Sequence, residues 1–398
     1  MVFFQWVLFF ALLGLGVPVL VFVCQIALAL LRKSPDPQAL VGTENNGFTW
    51  TVLIPAHNEE GVVADTLRPL MAEGAAFSGR VLVVADNCTD QTAQICRAMG
   101  AVVVERTSAS ERGKGFALQH GLNHLASNPP DVVIVLDADC TVSASGLQVL
   151  ASECRRAGSP VQSAYLMHAK ETAPPLAKIS EFAWLVKTWI RPLGWTRLTG
   201  QCQLLGSGMA FPWGVLQRFN LGSGHLVEDL KLTADMAKVG VGVGFLPSVQ
   251  VDSCFPTLDS SRLVQSRRWE HGHLGMILTE VPRLLWCFLT TRRLHALALA
   301  LDMLVPPLSL LVVVLCLFVS TGWALALVSG EMRWFALGST VLSFLAFSVL
   351  GFAWFRWARH IVSIMDIALI PAFVAGKLKI YTGFVSGREK TWRRSDRN

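Results

Sequence analysis

Charge is scarce in this sequence. Of its 398 residues only 16% are charged, against 52% hydrophobic, and the mean hydropathy is +0.47. That balance excludes one ordinary soluble domain and predicts a membrane protein carrying a soluble insert. The nine cysteines make no C-x-x-C pair and no regular framework, which argues for reduced, mostly buried thiols in a cytosolic domain and against a disulfide scaffold. The formal net charge of +6 is modest and sits beside apolar stretches, with no basic run interleaved with stacking aromatics. Nucleic acid is therefore excluded as an expected partner, and a membrane surface is favoured.

The missing charge maps the chain. Residues 1–31 and 294–355 are nearly free of it, while 45–275 reads like one globular α/β core. The run 3–31 is long enough to span a hydrocarbon core of roughly 30 Å at about 1.5 Å per residue. It lacks a basic leading region and a clear small-x-small cleavage site, and it ends in Leu31-Arg32-Lys33. It reads as an anchor with a cytoplasmic domain after it. Stretches 294–328, with Pro306-Pro307 inside, and 334–355 predict a hairpin of two further spans. Arg292 and Arg293 before the hairpin, and Arg356, Arg359 and His360 after it, put both ends on the same basic side. In 361–385, Asp366, Lys377 and Lys379 interrupt the apolar run, so an amphipathic interfacial segment is preferred to a fourth span; it keeps the basic tail 388–397 with the other cations. The expected division is an anchor at 1–33, a catalytic domain at 45–275, an interfacial segment at 276–293, a membrane hairpin at 294–355, and an amphipathic segment with basic tail at 356–398.

Within 45–275, Thr51-Val-Leu-Ile-Pro55 reads as a strand feeding a helix through Val62, Leu67 and Leu70. The unit recurs at 80–84, 101–104 and 131–136, with Asp86-Asn-Cys-Thr-Asp90 opening a helix. Short, fully apolar strands alternating with helices predict a mostly parallel, Rossmann-like α/β sheet with helices on both faces. Ligands in such sheets bind beyond the carboxyl ends of the strands. Asn58 and Glu59, Asp86, and Asp137 with Asp139 all follow strand ends, so one crevice is expected to collect them.

The chemistry-bearing residues each have a structural use as well. Asp137-Ala-Asp139 offers hard oxygen ligands suited to Mg²⁺ or Mn²⁺ shared with a diphosphate, although Asp pairs also serve turns and helix caps. Arg112-Gly-Lys114-Gly opens a helical pattern, where backbone N–H groups and two cations favour phosphate; a solvated basic loop is the other reading. Glu228-Asp229 precedes a helix and either caps it or supplies the carboxylate that takes a proton from an acceptor hydroxyl. In Gln265-Ser-Arg-Arg268-Trp269, Arg268 suits a leaving diphosphate and Trp269 a sugar ring, while an interfacial Arg-Trp anchor is equally familiar.

Taken in order, Pro55-Ala-His57-Asn-Glu59, Asp86, Asp137-Ala-Asp139, Glu228-Asp229 and Gln265-x-x-Arg268-Trp269 resemble the motif series of membrane-bound family 2 inverting glycosyltransferases, to which cellulose, hyaluronan, chitin-oligosaccharide and poly-N-acetylglucosamine synthases are similar. The resemblance covers roughly 48–275. It implies a GT-A-like fold with transmembrane helices, a nucleotide-sugar donor, a UDP-sugar above others, and a Mg²⁺ or Mn²⁺ cofactor. It further implies that Pro55, His57, Glu59, Asp86, Lys114 and Asp137 line the donor's nucleotide and diphosphate, that Asp139 holds the metal, and that Asp229 is the base. Glu228, Gln265, Arg268 and Trp269 complete the catalytic set, and Gly206-Ser-Gly-Met-Ala210 matches the loop near the acceptor. Asn87 departs from the paired acids of many relatives. The implied acceptor is a polysaccharide, in exopolysaccharide synthesis at a bacterial inner membrane. Three spans are few for a polymer channel, so a second copy of the chain or an export partner is expected with it. A membrane lipid is the alternative acceptor, since ceramide glucosyltransferases resemble this layout of one leading and few trailing spans.

Overall fold

In the computed structural model, which describes residues 2–31, 47–72, 79–170, 172–256 and 259–387, the apolar runs of the insert pair into one seven-stranded sheet. Helix α1 (Val2–Leu30) comes first. The sheet then begins with β1 (Trp50–Ala56), α2 (Val63–Ala72), β2 (Arg80–Asp86), α3 (Thr92–Ala98), β3 (Val102–Arg106), α4 (Lys114–Leu125) and β4 (Val132–Val135). These four strands lie in the order β3-β2-β1-β4, all parallel. Alternation explains why β1, the centre of β2, and β4 are apolar on both faces. Trp50, Val52, Ile54, Val132 and Ile134 enter one hydrophobic core, while Leu53, Val84, Val133 and Val135 enter the core on the opposite face. Each such side chain contributes about 1.5–3 kcal/mol on full burial.

The second half of the sheet departs from that repeat. After α5 (Ala144–Ala157), capped by Ser143 accepting from the Gly146 N–H at 3.0 Å, come β5 (Val161–His168), α6 (Pro175–Leu185), a π-helical turn (Val186–Ile190) and α7 (Arg191–Thr199). They are followed by β6 (Met209–Pro212), α8 (Trp213–Leu216), α9 (Glu228–Lys238) and β7 (Gly244–Cys254). Strand β6 is antiparallel to β4 and β5, and β7 closes the edge parallel to β5. The sheet is thus mostly parallel with an antiparallel insert. Strands β5, β6 and β7 were not expected from the sequence. Gln162 and Ser163 are polar yet fully buried, and β7 contains Pro247, which lies in a bulge where the adjacent β5 residues Ser163 and Ala164 pair with Leu246 and Gln250. A proline has no N–H for the ladder, so it lies in the bulge.

The remaining helices are α10 (Asp259–Thr291), α11 (Leu294–Leu304), α12 (Leu308–Val328), α13 (Arg333–Ala353), α14 (Ile364–Ile367) and α15 (Ile370–Ser386). Two expectations change here. The run 294–328 is two helices, because Pro306-Pro307 cannot continue the backbone ladder; only α12 and α13 form the long hairpin. Residues 276–293 lie mostly within α10, a continuous 33-residue helix that begins inside the expected catalytic domain. Four helices among the described residues are long and apolar enough to cross a membrane: Phe3–Leu30, Ser261–Thr291, Leu308–Val328 and Gly330–Ala358. The fourth candidate beyond the expected three is therefore α10, which carries Gln265, Arg268 and Trp269, and not the segment 361–385. Helix α15 packs on α10 instead, where His271 Nε2 meets the Ile380 carbonyl at 2.8 Å and Lys377 pairs with Glu270 at 2.8 Å. Arg32, Lys33 and the basic tail 388–397 lie outside the described residues.

The sheet domain is tied to these helices by close approach and by a buried ion pair. A Cβ on Gly194 of α7 would sit 1.7 Å from the Gln25 carbonyl of α1, so only glycine permits that crossing. Beside it, Arg191 donates to Gln25 Oε1 at 2.7 Å and to Asp302 Oδ1 at 2.9 Å, and Gln25 donates to the same Asp302 oxygen at 2.7 Å. Asp302 is thus the joint between α1, α7 and α11.

Candidate active site

The carboxyl ends of β1, β2 and β4 lie side by side, and the residues just beyond them build the site. At the end of β1, His57 Nδ1 meets the Asp86 carbonyl at 2.6 Å, and the Glu59 N–H donates to Thr92 Oγ1 at 2.8 Å. Asn58 has φ +55 and Asn87 φ +51, the left-handed conformation that asparagine tolerates best among non-glycine residues. Both use their amides to tie loops: the Thr89 N–H donates to Asn58 Oδ1 at 2.7 Å and the Ser108 N–H to Asn87 Oδ1 at 2.8 Å. Asp86 is buried and accepts from Arg106 at 2.7 Å and from Asn87 Nδ2 at 3.1 Å. The position that departs from the paired acids of the resembled family therefore holds the neighbouring acid.

A cavity of about 120 Å³ lies at the end of β4. Lys114, Asp137, Asp139, Glu228, Asp229, Gln265, Arg268 and Trp269 all line it, eight sequence-derived candidates drawn from four separate stretches of chain. Pro55, His57, Glu59 and Asp86 are not in its wall; they form the neighbouring edge along β1 and β2. Lys114 starts α4, and its ammonium lies 2.5 Å from Asp137 Oδ1 and donates to the Gly206 carbonyl at 2.6 Å. Coulombic attraction to Asp137, and to Glu228 and Asp229, outweighs burial and raises its pKa, so it stays charged. Ser207 donates from its hydroxyl to Cys140 Sγ at 3.3 Å and accepts the Asp137 N–H at 3.0 Å. Gly208 has φ +67, and a Cβ there would meet Ser163 Oγ at 2.0 Å, so the loop before β6 requires glycine.

Asp137, Asp139 and Cys140 place one ligand atom each within 4.8 Å of one another. Ser253 Oγ donates to Asp139 Oδ2 at 2.9 Å from the edge strand β7. Burial pushes the Cys140 thiol well above its ordinary range, so the set presents two carboxylates with a neutral sulfur behind them. Hard oxygen donors of this kind fit Mg²⁺ or Mn²⁺.

Glu228 and Asp229 open α9, with no side-chain cap on that helix. Both are half-buried in the cavity wall. Burial and the neighbouring Asp229 carboxylate push Glu228 up to about 7, against the pull of Lys114. Burial raises Asp229 as well, while the Leu230 backbone N–H and the Lys114 and Lys187 cations oppose it. A Cβ built on Gly206 would lie 3.5 Å from Asp229 Oδ2, so the acid faces the glycine loop across an open gap. Glu228, poised between charged and neutral near pH 7, and Asp229 beside it, raised by burial, form a carboxyl pair suited to proton transfer.

The far wall comes from α6, the π turn and α10. Trp184 and Trp269 lie with ring centroids 4.6 Å apart, Tyr165 meets Trp184 edge-on at 5.6 Å, and Lys187 lies 5.1 Å from the Trp184 ring. Sequence reasoning missed Tyr165, Trp184, Lys187 and His273. They occupy apolar helix and strand patterns whose local signal is that of core packing.

Comparison with known proteins assigns the sheet domain to a family. Residues 49–272, more than half of the chain, match the model described as "Glycosyltransferase like family 2". The probable glycosyltransferase YdaM of Bacillus subtilis is 24% identical over 239 residues, 57% of this chain and 56% of the relative. The 4,4'-diaponeurosporenoate glycosyltransferase of Staphylococcus aureus is 33% identical over 99 residues, 24% of this chain and 25% of its own. The chain thus spans about half the length, or less, of these curated relatives. Among solved structures, the mannosyltransferase PcManGT from Pyrobaculum calidifontis, in complex with GDP-Man and Mn²⁺, is similar at 18% identity and a TM-score of 0.49, covering 86% of this chain and 98% of that one. The glucosyl-3-phosphoglycerate synthase of Mycobacterium tuberculosis, in complex with Mn²⁺, UDP and phosphoglyceric acid, is similar at 20% identity and a TM-score of 0.41, covering 61% of this chain and 83% of that one. By the family match over its sheet domain, this chain belongs to the Glycosyltransferase like family 2.

Proposed function

We propose that this chain transfers a sugar from a nucleotide-sugar donor, a UDP-sugar above others, to an acceptor hydroxyl with inversion at the anomeric carbon. The observation that carries the reading is the convergence of Lys114, Asp137, Asp139, Glu228, Asp229, Gln265, Arg268 and Trp269 on one cavity beyond the end of β4. The edge formed by Pro55, His57, Glu59 and Asp86 holds the nucleotide beside it, with Asp86 kept in place by Arg106.

Asp229 takes the acceptor proton as the acceptor oxygen attacks, and Glu228 shapes the electrostatics of that base. Lys114 and Arg268 face the departing diphosphate, and Gln265 and Trp269 position sugar and acceptor. Asp139, with Asp137 beside it, would hold Mg²⁺ or Mn²⁺, which supplies charge neutralisation on the diphosphate. Trp184 and Trp269 keep water from the donor.

The four long apolar helices among the described residues support a multi-pass membrane protein. We place it in a bacterial inner membrane with the sheet on the cytoplasmic side, a reading that rests on the cations Arg292, Arg293, Arg356 and Arg359 flanking the hairpin. The anchor at 1–33, catalytic domain at 45–275 and trailing helices divide the work accordingly, with α10 carrying catalytic residues and packing along α9 of the sheet domain. The motif series supports a polysaccharide acceptor, with a homo-oligomer or an export partner widening the product's path; the few spans support a membrane lipid in its place.

The test is nucleotide release by the purified full chain in lipid across a donor panel. Release that depends on Mg²⁺ or Mn²⁺, and that falls by roughly 10²–10⁴-fold in Asp229→Asn without a change in melting temperature, is the expected result. Full activity in that variant would overturn the assignment of the base.

A further inference from the structure

Behind the catalytic cavity lies a second one of about 490 Å³, walled by Phe22 of α1, Ala183 of α6, Leu263 of α10, Pro306 and Leu308 at the start of α12, and Phe373 of α15. Five residues, Trp184, Lys187, Gln265, Trp269 and His273, line both cavities, so the two adjoin across one wall. Helices α1, α10 and α12 are three of the four long enough to cross a membrane, so this space faces the part of the molecule that meets lipid. Its lining is mainly apolar, and a glycan hydroxyl buried there would lose its water without gaining a partner.

The charges in this lining are one-sided. Lys187, Arg191, Arg262, Lys377 and Lys379 face it, against the single acid Glu270. Arg191 is paired with Asp302 and Lys377 with Glu270. Lys187 is the cation at the junction of the two cavities. It is borne on the π turn, where Pro192 has no N–H to offer the Thr188 carbonyl and the helix widens. Burial pulls its pKa down while the Asp229 carboxylate draws it up.

We propose that the second cavity receives the hydrocarbon tail of an anionic amphipathic lipid, and that Lys187 holds the negative head so that a neighbouring lipid hydroxyl reaches Asp229. The proposal rests on the reading of the polar cavity as the transfer site. In the step, the lipid O–H gives its proton to Asp229 and its oxygen bonds to the anomeric carbon. The anomeric C–O bond to the diphosphate breaks, and the nucleoside diphosphate leaves with the electron pair. Lys187 is a positioning residue in this step.

The experiment uses the full chain in phosphatidylcholine vesicles with a radiolabelled donor panel. The vesicles carry phosphatidylglycerol, which is anionic with free hydroxyls, or diacylglycerol, which is neutral with one; a third arm adds soluble oligosaccharides. Label is expected in the organic phase, with phosphatidylglycerol used about tenfold better than diacylglycerol, the scale of one charge pair at a partly desolvated site. Lys187→Met should raise KM for phosphatidylglycerol about tenfold with KM for the donor unchanged. Gly376→Phe supplies a second variant in the cavity's lining, where a Cβ meets nothing within 4 Å; the added bulk should raise KM for both lipids. Nucleotide release supported only by oligosaccharide, with label in the aqueous phase, would overturn the lipid proposal and leave the transfer site standing. Equal use of the two lipids would overturn the role of Lys187. No release with any donor and acceptor would overturn the transfer reading and the proposal together.

Discussion

Two cavities share one wall in this molecule and differ in nearly everything else. The smaller, about 120 Å³, is lined by four acids and by Lys114 and Arg268, and every one of them was recognisable as a candidate in the sequence. The larger, about 490 Å³, is apolar with a cationic excess, and no sequence pattern pointed to it. The difference teaches how each is made. Polar groups at strand ends are placed by local chain geometry, because a parallel sheet delivers every carboxyl end to one edge. An apolar cavity exists only where helices distant in sequence fail to close on one another, here α1, α6, α10, α12 and α15.

That contrast can be broken from the apolar side first, where the largest effect on the fold is expected. Asp302→Ala leaves the Arg191 guanidinium buried beside α1 without its carboxylate, and breaking a buried pair in this way costs about 3–5 kcal/mol. Thermal unfolding in detergent should show a large fall in melting temperature, while Asp302→Asn, which retains an acceptor for Gln25, should fall less. Equal stability of Asp302→Ala and the parent would mean the joint does not hold the two regions together.

On the polar side the expected effect is smaller and lies in pH. Glu228 is pushed up to about 7, so the profile of nucleotide release should carry an inflection there as it loses its proton beside Asp229. Glu228→Gln, which mimics the protonated acid, should remove that inflection. Its persistence would assign the titration to another group.

The smallest effect is expected at a cluster that borders neither cavity. His168 Nε2 lies 2.7 Å from Asp252 and its Nδ1 3.2 Å from Glu181, and these hydrogen bonds raise its pKa to about 10. A histidine raised in this way stabilises the fold fully below its ordinary value of 6.5 and loses that contribution as pH climbs towards about 10. The melting temperature should therefore decline modestly over that window. His168→Gln should flatten the decline without moving the inflection assigned to Glu228.

How far each region was legible follows from the range of its determinants. Strands β1, β2 and β4 were readable because both their faces are buried and their centres are apolar without interruption, and the edge strand β3 by its Val102–Val104 run. Strands β5 to β7 were not, since Gln162, Ser163 and Pro247 are tolerated only by a buried hydrogen bond or a bulge made in three dimensions. Gln162 Nε2 donates to the Ser207 carbonyl at 2.8 Å, and its Oε1 accepts the Leu205 N–H at 2.9 Å, contacts more than 40 residues away. In the sequence, helix α10 divides between the end of the catalytic domain, to 275, and an interfacial segment, 276–293, because Arg262, Arg267 and Arg268 lower the hydropathy of its first turns, although the whole helix is long enough to span a bilayer.

By itself the sequence determined the parallel half of the sheet, the acids at its strand ends, the long apolar N-terminal helix and the presence of the long helical hairpin, because each depends on periodicity or composition within a few residues. Tertiary structure alone decided that Lys114 pairs with Asp137, that Arg106 holds Asp86, that Asp302 is a buried joint, and that a tryptophan wall and Lys187 separate a polar cavity from an apolar one. Those features are contacts between segments roughly 20 to 110 residues apart. Their formation depends on the packing of whole helices and strands, which no local pattern encodes.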